Sequence, residues 1–530
     1  MPTLAELIAD KLTSAGVEVV FGLPGGENVD LLDALRRRGI EFVLVRNESS
    51  AIFMADTHAR LTGGISVALT TLGPGATNAY AGIAHAWLDR SPVLLITAQT
   101  DPKLVGRHTH QVLDLQAVFR PVTKLTASLA PETATAANAT LDYALSLLRS
   151  GRPGPVHLSL PASVALSDVE SSQSSIPTGI FSQVDAKRIE RAKQILSQSR
   201  CPVIVLGLGL EPDRPYAQIR QLAESLHAPV IDTPKSKGAL PADHPLFAGT
   251  FGLTMTDPAY EILDEADCIL ALGFDVVELV KPWNQPQPLI WIANWENQDP
   301  RIDAACELVG NINDILDALL DVTSNTDETW GERRVSAWRE AHRFTPKAAP
   351  APNRLFPADV LDSLRANTPP EAIVTTDVGS HKIFTSLYWK ALQPNTYFVS
   401  NGLSVMGFGL TSAIAAARTT GNVAISITGD AGLAMVMGEL ALLVEFDLPV
   451  IVVVMNDSAL DLIRFAQTKR NLQVFGTEFA NPDYEKIAAG FGLSFARVTN
   501  RSECDHAVQA AVASHKPTLL EMMIDPVGYR

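Results

Sequence analysis

Two acid-bearing turns hold the residues best suited to chemistry. In NVAISITGDAGLAM a buried-strand pattern stops at Gly429-Asp430 and a helical pattern begins. One strand–helix–strand unit later, PVIVVVMNDSAL does the same at Asn456-Asp457. A βαβ crossover returns the chain so that consecutive strands run parallel, which puts both turns at the carboxyl edge of one sheet, where α/β ligands bind. A helix starting near Ala431 brings free N–H groups and partial positive charge to that edge, which suits phosphate. Two carboxyls there would repel an anion unless a cation intervened. A hard divalent ion such as Mg²⁺ takes carboxylates, a backbone carbonyl and phosphate oxygens together. The small residues Gly429, Ala431 and Gly432 let backbone approach such a ligand. The competing reading is that Asp430 only caps its helix; the second acid turn at the matching strand end weighs against it.

The elements that must position these turns are legible from periodicity. Short Val/Ile/Leu runs alternate with longer amphipathic segments: EVVFGLPGG, EFVLVRNE, ISVALTTLGPG and PVLLITAQ, then PVIVLGLG, DCILALG and PLIWIA, then AIVTTDVG, VAISITGD and PVIVVVMND. Strands ending in Gly-bearing turns before helices predict βαβ units and parallel sheets, an α/β fold. The Ser-rich SDVESSQSSIPTGIFSQ and the Pro/Ala-rich RFTPKAAPAPNRLFP read as linkers. They divide the chain into three expected domains, 1–170, 185–325 and 355–530. The segments ISVALTTLGPGATNAYAGIAHAWLDRSPVLLIT and VAISITGDAGLAMVMGELALLVEFDLPVIVVVMND share one plan and nearly the same spacing, which predicts that the first and third domains are related.

Composition narrows the function classes. At 530 residues the chain exceeds one compact core. Apolar content of 46 % and charged content of 19 % are those of a soluble globular protein. A net charge of −16 with no Lys/Arg cluster argues against nucleic-acid or anionic-membrane partners. The four cysteines lack metal or redox spacing and read as reduced packing residues. The start MPTLAELIADKLTSAG is an amphipathic helix with Leu4, Ile8 and Leu12 on one face rather than a signal peptide. No apolar run reaches a membrane span of roughly 20 residues, so a cytoplasmic protein is expected.

On these motifs the chain resembles the thiamine diphosphate (ThDP) enzymes of the acetolactate synthase and benzoylformate decarboxylase group. VLVRNESSAIFMADTHARLTG, TLGPGATNAYAGIAHAWLDRSPV, RHTHQVLDLQAVFRPVTK, KSKGALPADHP, TDVGSHK, SNGLSVMGFGL and the GD…ND segment fall in the family's order along essentially the whole chain. The resemblance implies a pyrimidine-binding first domain and a diphosphate-binding third domain. It implies Asp430, Asp457 and the carbonyl of Ala459 as Mg²⁺ ligands, with Asn456 a neighbour only. Glu48 becomes the acid that activates the cofactor aminopyrimidine, and Asn47 replaces the family's frequent His beside it. Met406 stands where an apolar residue bends the cofactor. Pro24, Gly25, Pro74, Asn78, Val378, Gly379, Ser380, His381, Ser404, Gly429, Ala431, Gly432 and Leu460 match turns facing the cofactor, although His381 has an equally good reading as solvated. A homodimer or homotetramer with its site at the subunit interface follows from the same resemblance.

The substrate is less legible. Gln111 matches a substrate-facing Gln of acetolactate synthases, while His85, His108 and His110 read as surface or hydrogen-bonding residues. GFDVVELVKPWN resembles the catabolic synthases and lacks the FDDR-like element of the FAD-binding anabolic ones, so FAD is not expected. Ala466 stands where the anabolic synthases place a Trp, which leaves the acceptor open; Arg464 and Gln467 either contact a carboxylate or face solvent. The expected activity is decarboxylation of pyruvate or a related 2-oxo acid, with ligation of the enamine to a second carbonyl compound. The alternatives are release of an aldehyde and a catalytically silent ThDP-binding homologue.

Overall fold

The computed structural model describes residues 1–105, 107, 110–129, 134–169, 184–345 and 349–530. The chain divides into two compact units, Met1–Ile180 and Phe181–Arg530. Among the described residues the strands form three six-stranded parallel sheets, one in the first unit and two in the second. Parallel strands are covered on both faces, which is why their sequences are continuous apolar runs rather than alternating ones.

In the first unit the strands are β1 (Val19–Leu23), β2 (Glu41–Leu44), β3 (Ser66–Thr70), β4 (Val93–Gln99), β5 (Leu125–Ser128) and β6 (Val156–Pro161), in the order β2-β1-β3-β4-β6-β5. The first helix, Leu4–Ser14, starts with a reciprocal cap: Glu6 N donates to Thr3 Oγ1 at 3.2 Å and Thr3 N to Glu6 Oε2 at 3.0 Å. Its Leu4, Ile8 and Leu12 are buried in one core with Leu94, Ile96 and Leu158 of the sheet.

The second unit carries β7 (Pro202–Leu206), β8 (Val230–Asp232), β9 (Phe247–Thr250), β10 (Cys268–Leu272), β11 (Leu289–Ala293) and β12 (Cys306–Val309), ordered β12-β11-β10-β7-β8-β9. It also carries β13 (Ile373–Thr376), β14 (Tyr397–Val399), β15 (Ala424–Gly429), β16 (Val450–Asn456), β17 (Ser494–Val498) and β18 (Thr518–Met523), ordered β14-β13-β15-β16-β18-β17. Counted from its own first strand, this last sheet has the same order, 2-1-3-4-6-5, as the sheet of the first unit. The internal repeat seen in the sequence is thus a repeat of topology. The central sheet instead has the dinucleotide-binding order 3-2-1-4-5-6, with its switch point between β7 and β10. As proposed domains, 1–170, 185–325 and 355–530 each enclose one sheet.

Inside the second unit the two sheets are tied by their loops. Ala242 N donates to Ala391 O at 2.9 Å, Asn395 Nδ2 to Glu211 Oε1 at 3.1 Å, and Asn401 Nδ2 to Glu278 O at 2.9 Å. The last contact braces the loop that carries Ser404 and Met406. The free cysteines Cys268, Cys306 and Cys504 are buried and Cys201 half-buried, as packing residues should be. Among the described residues no helix is long and apolar enough to cross a membrane.

Candidate functional site

The acid at position 430 is the first residue of the helix Asp430–Val436, and the capping position is Gly429, which has no side chain to offer. Asp430 therefore does more than cap. Its Oδ1 accepts from Ala431 N at 2.9 Å, while Oδ2 reaches across to accept from Ser458 N and Asn481 Nδ2, both at 2.8 Å. The parallel register Gly429↔Met455 puts the two strand ends side by side, which is what makes that reach possible. Asn456 is committed elsewhere: Nδ2 donates to Glu521 Oε1 at 2.7 Å and Oδ1 accepts from Asn481 Nδ2 at 2.9 Å.

Asp457 is the unsatisfied member. Its side chain is 8 % exposed, Oδ1 accepts weakly from Ala459 N at 3.3 Å, and the buried Oδ2 has no hydrogen-bond partner. Burial first, then the negative charges of Asp430 and Asp461, push its carboxyl up to about 7, with Arg464 opposing. Burial also raises Asp430, against the N–H bonds that favour its ionised form. The next residue, Ser458, has φ +58°, a left-handed conformation that costs a non-glycine residue energy and marks a turn held by its surroundings. Leu460 N bonds Thr477 O at 2.8 Å and Phe479 N bonds Ser458 O at 3.2 Å, flanking the antiparallel pair Ala459↔Glu478. The Ala459 carbonyl consequently points away from that neighbouring strand. An orphaned carboxylate oxygen, a second carboxylate and a free-facing carbonyl make an all-oxygen donor set that fits a hard divalent cation. Among the described residues no group of three or more His, Cys, Asp or Glu is placed to hold a metal ion, so side chains alone do not complete a site and the backbone carbonyl is a necessary member of this set.

The turn after β13 is organised by Asp377, which the sequence reading passed over in favour of its neighbours Val378 to His381. Asp377 is fully buried and accepts from Val378 N at 2.8 Å, Gly407 N at 2.9 Å and Thr428 Oγ1 at 3.2 Å. Burial pushes this carboxyl up to about 6. Gly432 is required here, since a Cβ would lie 2.5 Å from Asp377 Oδ2. One carboxylate thus gathers the Val378 turn, the strand end at Thr428 and the loop of Ser404 and Met406. Ser404, at φ +56°, accepts from Lys382 Nζ at 2.8 Å. Met406 is half-buried beside it. His381 is not solvated: it is buried, and desolvation pushes its imidazole down to about 4, so it is neutral. Ser380 Oγ donates to Asp461 Oδ2 at 2.7 Å.

Asp461, also missed, opens the helix Asp461–Lys469. Besides Ser380 it accepts from Arg464 Nη2 at 3.1 Å and from Arg530 Nη2 at 2.9 and 3.1 Å, and the Arg530 guanidinium lies 4.2 Å over the Phe465 ring. Tyr529 next to it is half-buried, and its phenol is raised by desolvation and by the charges of Asp457, Asp461 and Asp430. Gln467 is spent on the backbone of Phe475, bonding its N–H at 3.2 Å and its carbonyl at 3.0 Å, and Ala466 is exposed. An acid following Thr-Thr in TTDVG, on the pattern of TGD, was the signal for Asp377; Asp461 and Asn481 carried none.

In the first unit, Glu48 opens the helix Glu48–Thr62, capped by Asn47, whose side chain accepts from Ser49 N at 2.9 Å. Glu48 is 5 % exposed and its Oε2 accepts from Asn78 Nδ2 at 3.0 Å. Asn78 closes the short helix that starts at Pro74. Gln111 is exposed at φ +60° against Gly73, where a Cβ would sit 3.0 Å from the Gln111 Cβ. Pro24 and Gly25 form the half-buried turn after β1. His85 is no surface residue: it is fully buried, with Nε2 3.2 Å from Asp56 Oδ2 and Nδ1 3.4 Å from Asp89 Oδ2. His110 is exposed, and His108 lies outside the described residues. The structure thus joins Glu48 to Asn78 within the first unit, and the Val378–His381, Ser404–Met406, Asp430 and Asp457–Leu460 turns within the second.

Comparison with known proteins gives three family matches along the chain: the N-terminal thiamine pyrophosphate (TPP) binding domain of thiamine pyrophosphate enzymes over residues 2–118, their central domain over 189–319, and their C-terminal TPP binding domain over 377–522. A probable acetolactate synthase large subunit of Methanocaldococcus jannaschii is 32 % identical, the match covering 98 % of this chain and 92 % of the relative. The large subunit of acetolactate synthase isozyme 3 of Escherichia coli is 30 % identical over 98 % and 94 %. The acetolactate synthase of Bacillus subtilis is 27 % identical over 98 % and 93 %.

Proposed function

This chain belongs to the thiamine pyrophosphate enzymes, and from that premise we propose that it decarboxylates pyruvate or a related 2-oxo acid and joins the fragment to a second carbonyl compound, as acetolactate synthases do. ThDP held by Mg²⁺ supplies the carbanion chemistry when bound. The chain's own contributions are those of its side chains. Glu48 holds or yields a proton at its carboxyl toward the aminopyrimidine. Asp430, Asp457 and the Ala459 carbonyl hold the divalent ion. The Val378–His381 turn and the loop of Ser404 and Met406, both fixed by Asp377, seat the cofactor, and Gln111 faces the substrate. The reading includes a cytoplasmic homodimer or homotetramer with its site between subunits, and no FAD.

The observation that carries the reading is Glu48. A carboxylate 5 % exposed, with Asn78 as its hydrogen-bond donor, is expensive to bury, and a silent cofactor-binding homologue has no use for it. The full-length similarity to acetolactate synthases favours ligation over aldehyde release. The test is incubation with ThDP, Mg²⁺ and pyruvate, with CO₂, acetolactate and acetaldehyde assayed separately. Acetolactate with CO₂ supports the proposal. CO₂ with acetaldehyde alone moves the protein to the simple decarboxylases, and no CO₂ from a panel of 2-oxo acids overturns both enzymatic readings.

A further inference from the structure

The Asp430–Asp457 turn carries a feature that ThDP chemistry does not require: a third carboxylate, Asp461, and an arginine set between the last two. Arg464 Nη2 lies 3.1 Å from Asp461 Oδ1 and 3.7 Å from Asp457 Oδ2, the same oxygen that lacks a hydrogen-bond partner; its Nη1 lies 3.9 Å from Glu478 Oε1. Asp461 is already doubly engaged by Arg530 and bonded by Ser380 Oγ, so it does not need Arg464 for neutralisation. The Arg464 side chain is 23 % exposed and sits on the first turn of its own helix, where its position is fixed by Asp461 one turn back. The separation from Asp457 is too long for a hydrogen bond but short enough for strong Coulomb attraction in a partly buried setting.

We propose that Arg464 is the resident counter-cation of the metal turn: it offsets the charge of Asp457 and Asp461 while no divalent ion is bound, and its charge sets how tightly the turn takes one. The inference rests on the Mg²⁺ site proposed above. Asp461, clamped by Arg530 and Ser380, is the fixed post that keeps Arg464 within reach of Asp457 without closing a bond to it. Arg464 is a positioning residue in this scheme and touches neither cofactor nor substrate. Because a guanidinium repels an incoming dication, its presence lowers metal affinity in exchange for a turn that is already formed without metal.

The test uses Mn²⁺ as the probe, with free ion read by electron paramagnetic resonance at saturating ThDP, together with thermal unfolding of the metal-free protein. Arg464→Met removes the charge and keeps the apolar stem; Arg464→Gln is a second neutral variant, and Arg464→Lys restores the charge. Both neutral variants should bind Mn²⁺ roughly tenfold more tightly. Their metal-free forms should melt earlier than wild type, with the difference shrinking at high salt. Arg464→Lys should stay near wild type in both readouts. Equal or weaker Mn²⁺ binding in the neutral variants overturns the proposal, and if it comes with a raised KM for the 2-oxo acid it assigns Arg464 to the substrate instead. Asp430→Asn separates this failure from failure of the metal site: if it binds Mn²⁺ as well as wild type, the site itself is misassigned and the inference falls with it.

Discussion

Asp377 offers the sharpest test of how the Val378 turn and the Ser404–Gly407 loop are held. Its carboxylate accepts two backbone N–H groups, from Val378 and Gly407, and the hydroxyl of Thr428. Replacing Asp377 by Ala strands the buried Gly407 N–H, at about 1–3 kcal/mol, and the part-buried Val378 N–H at less, and leaves a small void. The Gly407 segment should then open more readily by about 3 kcal/mol, a factor of about 150. Replacing it by Asn is a different perturbation. The Asn Oδ1 can still accept from Val378 and Gly407, and its Nδ2 can donate to Thr428 Oγ1, whose hydroxyl turns to accept. Burial has already pushed the Asp377 carboxyl up to about 6, so at pH 7 the neutral form lies only about 1.4 kcal/mol above the ion. The Asn variant should therefore lose less than about tenfold in protection. Amide hydrogen exchange, read by mass spectrometry on peptides covering 401–410, reports this local opening without requiring two-state unfolding of a multi-sheet chain. Unchanged exchange in the Ala variant, or an Asn variant as open as the Ala one, would refute the reasoning.

Four further outcomes are expected. Glu48→Gln should lower turnover by about 10²–10⁴ while ThDP affinity, measured calorimetrically, stays within a few-fold; full activity removes Glu48 from its assigned role. Gly432→Ala should weaken ThDP binding, because its Cβ would stand 2.5 Å from Asp377 Oδ2 and displace the carboxylate that fixes two loops; equilibrium dialysis decides. Divalent-ion affinity should rise with pH up to about 7 and level off above it, since Asp457 must lose its proton to ligate, and Asp457→Asn should flatten the profile in the same Mn²⁺ titration. Glu278, buried under the Leu208 N–H at 2.8 Å, is pushed up to about 8, so the folded state holds this proton more firmly than the unfolded chain does. Stability should fall as pH rises from about 4.5 to about 8, by up to ~1.4 kcal/mol per pH unit, and Glu278→Gln should lose that slope in melting curves at pH 5, 7 and 9.

Much of this protein is written locally. A strand that ends in Gly-Asp before a helix, repeated one unit later as Asn-Asp, specifies two acids at one sheet edge, because βαβ connections have a fixed hand and direction. The strands the sequence reading picked out all form; β5, β8, β9, β12 and β14 are short and β17 is only partly buried, while β6 (VHLSLP) and β18 (TLLEMM) are buried six-residue strands that it passed over because a His, a Ser or a Glu interrupts each apolar run. The repeat was legible because the same plan recurs at the same spacing, and it proved to be a shared strand order. The acids Asp430 and Asp457 were legible in the same way, from the strand ends they follow, whereas Glu48 was singled out only by the family resemblance.

What the sequence could not settle is every property that depends on partners distant along the chain. Whether His85 faces water or two buried carboxylates, and whether His381 is solvated or desolvated and neutral, are matters of burial, which only packing decides. Asn481 and Arg530 meet the turns of Asp430, Asp457 and Asp461 through chain folding rather than through spacing, and no periodicity announces them. Local pattern placed the acids at the sheet edge. Tertiary structure chose which oxygen is left without a donor and set an arginine 3.7 Å away, because hydrogen-bond satisfaction and the local dielectric are properties of the assembled surroundings.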